Sequence, residues 1–112
     1  MTTAINGLDI LTTVKGTACN KDRARVWVEV PEAKIAPYGF HRGDRVEIER
    51  YSDHITIRAL PQGSRKVAGR QKKGATICIF DICFPMAERE AMFNGAERLV
   101  VLINNGEIRI TA

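Results

Sequence analysis

Apolar and polar residues alternate with a period of two in several short stretches of this chain. In Arg25–Val30 (RVWVEV), Val26, Val28 and Val30 fall on one side and Arg25, Trp27 and Glu29 on the other. That is the pattern of a strand with one buried face. Val46 and Ile48 alternate with Glu47 and Glu49, Ile55 and Ile57 with Thr56 and Arg58, and Ile108 and Ile110 with Arg109 and Thr111. Thr76–Phe84 and Leu99–Ile103 are denser apolar, β-rich runs. Ile10–Val14 is short and apolar, and reads either as a strand or as an arm.

Proline and glycine punctuate these runs. Pro31 opens a single helical turn over Glu32–Ala36, because a missing amide hydrogen costs nothing at the first helical position. Pro37 prevents its extension. Pro85–Phe93 predicts a longer helix of good helix formers, stopped by Asn94-Gly95. Turns are expected at Arg42-Gly43-Asp44, Ser52-Asp53 and Asn104-Asn105-Gly106. Pro61-Gln62-Gly63-Ser64 opens the stretch RKVAGRQKKG, which reads as a linker or loop.

The order of elements occurs twice: strand, proline, short helix, glycine, strand, turn, strand. Arg45 corresponds to Arg98, Val46 to Leu99, Ile48 to Val101, Ile55 to Ile108 and Ile57 to Ile110, all at an offset of 53; Pro31 corresponds to Pro85 at 54. One unit of about 35 residues buries too little apolar area to stand alone. Two units that interleave can share a core, and a closed barrel would remove exposed sheet edges. The organisation expected is an N-terminal arm or strand over residues 1–20, a first unit over 21–60, a basic linker or loop over 61–75 and a second unit over 76–112. Together they make one intertwined domain.

The composition fits one such domain: 112 residues, 45% of them hydrophobic. No apolar run approaches the ~18–20 residues of a membrane span. The N-terminal MTTAINGLDILTT lacks the basic start and apolar block of a signal peptide. Three cysteines, Cys19, Cys78 and Cys83, give no even-numbered disulfide framework, and a cytoplasmic protein is the natural reading. The net charge of +4 is unevenly spread. Residues 1–58 carry nine Lys/Arg against eight Asp/Glu, residues 59–75 five against none, and residues 76–112 three against five. A local basic segment points to a polyanion partner or to a solvated linker.

The run from Arg25 to Arg58 resembles the AbrB/SpoVT swapped-hairpin family. Val30-Pro31 matches the family's Ile-Pro, Tyr38-Gly39-Phe40 its Leu-Gly-Leu, Arg42-Gly43-Asp44 its Pro-Gly-Asp, and Arg45–Glu49 its Val-Glu-Ile-Glu strand. Thr76–Thr111 resembles the pattern more loosely, keeping Pro85, Gly95 and the terminal hairpin but placing Ala96 at the Asp position. The resemblance implies a mostly β fold with short helices, an AbrB-like swapped-hairpin barrel made from two tandem strand–helix–hairpin repeats in one chain. It also implies a prokaryotic-type transcription regulator that binds double-stranded DNA. The family's DNA contacts come from basic residues in the loops before and beside the first strand of each unit. The implied contacts are therefore Lys21, Arg23 and Arg25 in the first unit and Arg65, Lys66, Arg70, Lys72 and Lys73 in the second, brought to one face by a pseudo-two-fold.

Other chemistry is thinly represented. Cys78 and Cys83 are five apart in a strand, which puts them on opposite faces and suits inert, buried thiols better than a metal site. Ser52-Asp53-His54 has triad residue types, but three contiguous turn residues do not form a triad. No enzyme, cofactor, metal or membrane association is expected. Trp27 is expected in a core or a subunit interface. A protein-binding module, antitoxin-like or inhibitory, stays as the alternative, and homodimerisation stays open. The chain ends at Ala112 directly after a strand, which is not the form of an antitoxin with a toxin-wrapping tail.

Overall fold

The structure, a computed structural model, describes residues 4–5, 8–18, 22–93, 96 and 98–112, with side chains from Asp22 onward except at Glu90 and Ala91. These residues form a mostly β fold with two short α-helices. The strands are β1 (Ala4–Ile5), β2 (Leu8–Ala18), β3 (Arg23–Pro31), β4 (Arg45–Arg50), β5 (His54–Ala59), β6 (Arg65–Lys66), β7 (Ala68–Lys72), β8 (Ala75–Pro85), β9 (Arg98–Asn104) and β10 (Glu107–Thr111). Helix α1 (Glu32–Ile35) follows β3, and α2 (Met86–Phe93) follows β8. The chain does not stop turning at Pro37: it tightens from α1 into a 3₁₀ turn over Ala36–Tyr38, with Pro37 in its first turn, and ends at Gly39 with φ 93°. The expected helix stop at Asn94-Gly95 lies outside the described residues.

The period-two patterns become rows of buried side chains. Val26, Val28 and Val30 of β3 are at most 3% exposed, and so are Phe80, Ile82 and Phe84 of β8. Ile55, Ile57, Ile108 and Ile110 are fully buried on β5 and β10. Phe40 meets Phe80 edge-on at 6.3 Å, and Phe84 meets Phe93 of α2 at 6.1 Å, which ties both helical segments to β8. Each fully buried aliphatic side chain contributes about 1.5–3 kcal/mol relative to exposure, so the shared apolar interior dominates the stability.

All the ladders are antiparallel, in the order β6-β4-β5-β10-β9-β2-β3-β8-β7, with β1 on β2. Their register maps onto itself under the offsets read from the sequence. On β3 and β8, Val26 pairs with Ile82 and Val28 with Phe80, a symmetric arrangement about the Trp27–Asp81 pair. On β5 and β10, Ile57 pairs with Ile108 and Ile55 with Ile110, symmetric about Thr56–Arg109. The β4·β5 and β9·β10 hairpins match pair for pair: Ile48↔Ile57 corresponds to Val101↔Ile110.

Residues 61–75 are not a linker. They contain β6, Val67 and β7, and they match β2 in both of its pairings. Lys66 pairs with Arg45 as Lys15 pairs with Arg98. Ala68 pairs with Ile79 as Thr17 pairs with Arg25, and Gly69 with Cys78 as Ala18 with Ala24. Residues within 1–20 therefore have a counterpart, at an offset of 51, that turn-forming Pro61 and Gly63 and the dense positive charge obscured. Val67, 3% exposed, exchanges backbone hydrogen bonds of 2.9 Å with Gly43 and Asp44. The ladder path starts at β6 and ends at β7, so both its ends lie on one stretch of chain joined at Val67. Along the rest of this seam no described ladder joins β4 to β8, and the sheet is not hydrogen-bonded into a closed barrel.

Gly63 sits where the chain turns back onto β4. A Cβ there would lie 2.4 Å from the Val46 carbonyl oxygen and 2.7 Å from its nitrogen. Both contacts are backbone and cannot be relieved by a rotamer change. Gly63→Ala is predicted to lower stability by about 1–3 kcal/mol, the range for overpacking. Gln62→Ala next to it, on an exposed side chain, should stay within about 0.5 kcal/mol. Urea denaturation of both variants is the check, and equal midpoints would refute the close approach.

Candidate nucleic-acid interface

The predicted site residues divide along the ribbon formed by β3 and β8. Strand alternation turns Val26, Val28, Phe80 and Ile82 inward and leaves Arg23, Arg25, Trp27 and Glu29 of β3, with Ile77, Ile79, Asp81 and Cys83 of β8, on the outer face. Trp27 is on this outer face, 38% exposed, and not in the core. It belongs to a polar network. The Arg25 guanidinium grips Asp81 with both of its arms, Nε to Oδ1 at 2.7 Å and a terminal nitrogen to Oδ2 at 2.8 Å. The same guanidinium stands 4.7 Å from the Trp27 ring centre. Trp27 Nε1 donates to Glu29 Oε1 at 2.8 Å, and Arg70 donates to Glu29 Oε2 at 2.9 Å.

These contacts set the electrostatics of the face. The hydrogen bond from Arg25 holds the Asp81 carboxyl below its ordinary value, against an opposing push from burial. Arg25 and Arg70, both expected to meet DNA, are held by Asp81 and Glu29. The centre of the face carries two paired cations and two paired anions.

Arg65 behaves differently again. It is the cross-strand partner of buried Val46 and reaches over the seam, donating to the Asp81 backbone carbonyl at 2.9 Å. There it lines a cleft of about 410 Å³ with Ile48, Arg50, Ile82, Cys83 and Glu88. Arg23, Lys66, Lys72 and Lys73 are exposed, and their side chains make no hydrogen bond or ion pair among the described residues. Lys21 lies outside the described residues.

Three of the four unengaged cations stand at the two ends of the ribbon, Arg23 at one and Lys72 and Lys73 at the other, while Lys66 lies on β6 opposite Arg45, away from both ends. Because β3 and β8 are antiparallel, Arg23 lies beside Pro85 at one end, while Lys72 pairs with Ala75 beyond the Pro31–Ile77 pair at the other. The ten residue steps of β8 span about 33 Å at the usual strand rise, close to the molecule's longest extent of 36 Å. Lys73 and Gly74 close the β7–β8 hairpin with φ of 50° and 80°, the mirror-image turn that fits strand twist. Gln71, exposed and bonded through Nε2 to Thr76 Oγ1 at 2.9 Å, was not among the expected site residues. A Gly-containing two-residue turn centred on Lys73-Gly74 is the sequence signal that would have placed it on a hairpin arm.

The cysteines follow strand alternation. Cys78 is buried, and burial pushes its thiol up; Cys83 is half-buried on the outer row. Among the described residues no three His, Cys, Asp or Glu side chains converge to hold a metal. Asp53 and His54 touch at 2.7 Å in the β4–β5 turn. No helix of the described residues is long and apolar enough to cross a membrane.

The Asp81–Arg25 pair has a pH signature. Asp81 is held below its ordinary value of 3.8 when folded, so its contribution is present above that value and fades as pH falls through the lower folded pKa. Both side chains are about one-third exposed, which limits the effect to about 1 kcal/mol or less. Asp81→Asn should be less stable than the parent at pH 7, with the gap closing in acid. Thermal melts from pH 7 to pH 2 measure it, and a gap that is constant or widens in acid would contradict the pairing. No family model matches this chain, and neither a curated protein nor a solved structure matches it.

Proposed function

We propose that this chain is a cytoplasmic, duplex-DNA-binding transcription regulator and not an enzyme. On this reading its architecture is an AbrB-like swapped-hairpin barrel, with both repeats in one chain and the seam closed by packing. The observation that carries the reading is the placement of unengaged Arg23 at one end, and of Lys72 and Lys73 at the other, of a self-mapping antiparallel ribbon. The span of about 33 Å compares with one helical turn of B-DNA, about 34–36 Å, the spacing at which two-fold-related contacts meet the same side of a duplex. Cations at those ends would release counterions from the phosphates they meet. The acids between them do not oppose this, because Arg25 and Arg70 neutralise Asp81 and Glu29.

A second reading has its own observation. Trp27 is exposed on the outer face, diagonal to half-buried Ile79 and Cys83, and exposed tryptophan beside apolar neighbours is characteristic of protein-contact hot spots. A protein partner, or a second copy of the chain, would then cover the same outer face.

Gel shifts over a salt series separate the two. Binding to duplex DNA should weaken linearly on a log–log salt plot. Arg23→Ala and Lys73→Ala, one from each end, should each lower the slope by about one. The emission of Trp27, the chain's only tryptophan, should change on binding. The absence of any shift at low salt, with a stoichiometric protein recovered by pull-down, would favour the second reading and refute the first.

A further inference from the structure

The two ends of the ribbon are not equal, although the ladders that lead to them are equivalent. Gly69↔Cys78 and Ala18↔Ala24 are matching pairs. Beyond them, the first unit has only residues 19–23 before the chain returns, while the second has residues 70–77. In the second unit the ladder continues through Arg70↔Ile77, Gln71↔Thr76 and Lys72↔Ala75. The β3 partner ends at Pro31↔Ile77. From Gln71 to Thr76 the chain is therefore a two-stranded ribbon with no third strand beside it among the described residues. Residues 71–75 are all exposed, and the Lys73-Gly74 turn holds the ribbon closed.

A two-stranded ribbon is one of the few elements that fit the major groove, where base edges present a distinct donor and acceptor pattern. This one carries the side chains for it. Gln71 has an amide that can pair with adenine, and its bond to Thr76 restricts its orientation. Lys72 has an ammonium that can donate to guanine. Lys73 at the turn is placed for phosphate. The connection between Ala18 and Ala24 is shorter by three residues than the one between Gly69 and Cys78.

We propose that the interface is functionally asymmetric: the Gln71–Thr76 ribbon enters the major groove and reads bases in one half of the site, while the Arg23 end contacts phosphate only. This rests on the duplex-DNA reading above. The target is then a site with two backbone contacts about one helical turn apart and sequence information in one half, not an inverted repeat.

Selection from a randomised duplex library, followed by hydroxyl-radical footprinting, tests this. The expected result is two protected patches with an enriched motif beside only one. The Gln71→Ala/Lys72→Ala double variant, at exposed positions, should keep the parent's thermal melt and lose roughly five- to hundred-fold of its preference for the motif over random duplex, the range for a good base contact. Arg23→Ala should weaken all duplexes alike and leave the motif unchanged. A symmetric motif in both halves, or a motif untouched by the double variant, overturns the asymmetry while leaving DNA binding in place. Failure to retain any duplex at low salt overturns the DNA reading itself.

Discussion

The antiparallel pairing of β3 with β8 is the constraint on which the rest depends. Nine consecutive pairs, from Arg23↔Pro85 to Pro31↔Ile77, centre on Trp27 and Asp81. One side of the pairing supplies the middle of the core through Val26, Val28, Phe80 and Ile82. The other side supplies the outer face on which the candidate interface lies. A one-residue slip of β3 would turn Arg25 and Trp27 into the core and its valines into water. The Arg25–Asp81 fork is compatible only with the observed register. It adds specificity to a pairing whose stability comes from apolar burial.

The same pairing sets the placement of charge. Running the two strands in opposite directions sends the connection before β3 and the hairpin before β8 to opposite ends of one ribbon. Basic segments that are far apart in sequence become two ends of a single face. The ion pairs in between remove the repulsion that Glu29 and Asp81 would exert on a polyanion. Arg65 is diverted to the seam, where it spans the gap between β4 and β8 that no described ladder fills. Cations that look equivalent in sequence thus divide into structural ones, Arg25, Arg65 and Arg70, and unengaged ones.

Much of the fold was legible from pattern alone. The alternation in RVWVEV, RVEIE, ITIR and IRIT marked the strands and the faces they bury. The proline after each long strand marked the helices, and the offsets of 53 and 54 marked the equivalent positions that the ladders then relate to one another. The segment 61–75 was not legible as strands. Pro61, Gly63 and five cations are loop signals locally, and the pairing with β4 and β8 that overrides them is long-range. β2 was hidden differently: its register with β9 shifts between Ile10 and Thr12, which breaks a single clean alternation.

The candidate site was legible as a charge distribution and not as a geometry. Composition located the positive charge between residues 59 and 75, and the family resemblance implied a matching cluster near Arg23. Sequence by itself determined the strand content, the buried faces, the duplication and the excess of cations, because these follow from local periodicity and from residue type. Tertiary structure alone decided which cations are engaged, that Trp27 faces outward, and that the β7–β8 hairpin extends past the end of β3. Those depend on partners some 40 to 60 residues away, Glu29 with Arg70 and Arg25 with Asp81, and only the folded register brings such partners within hydrogen-bonding distance.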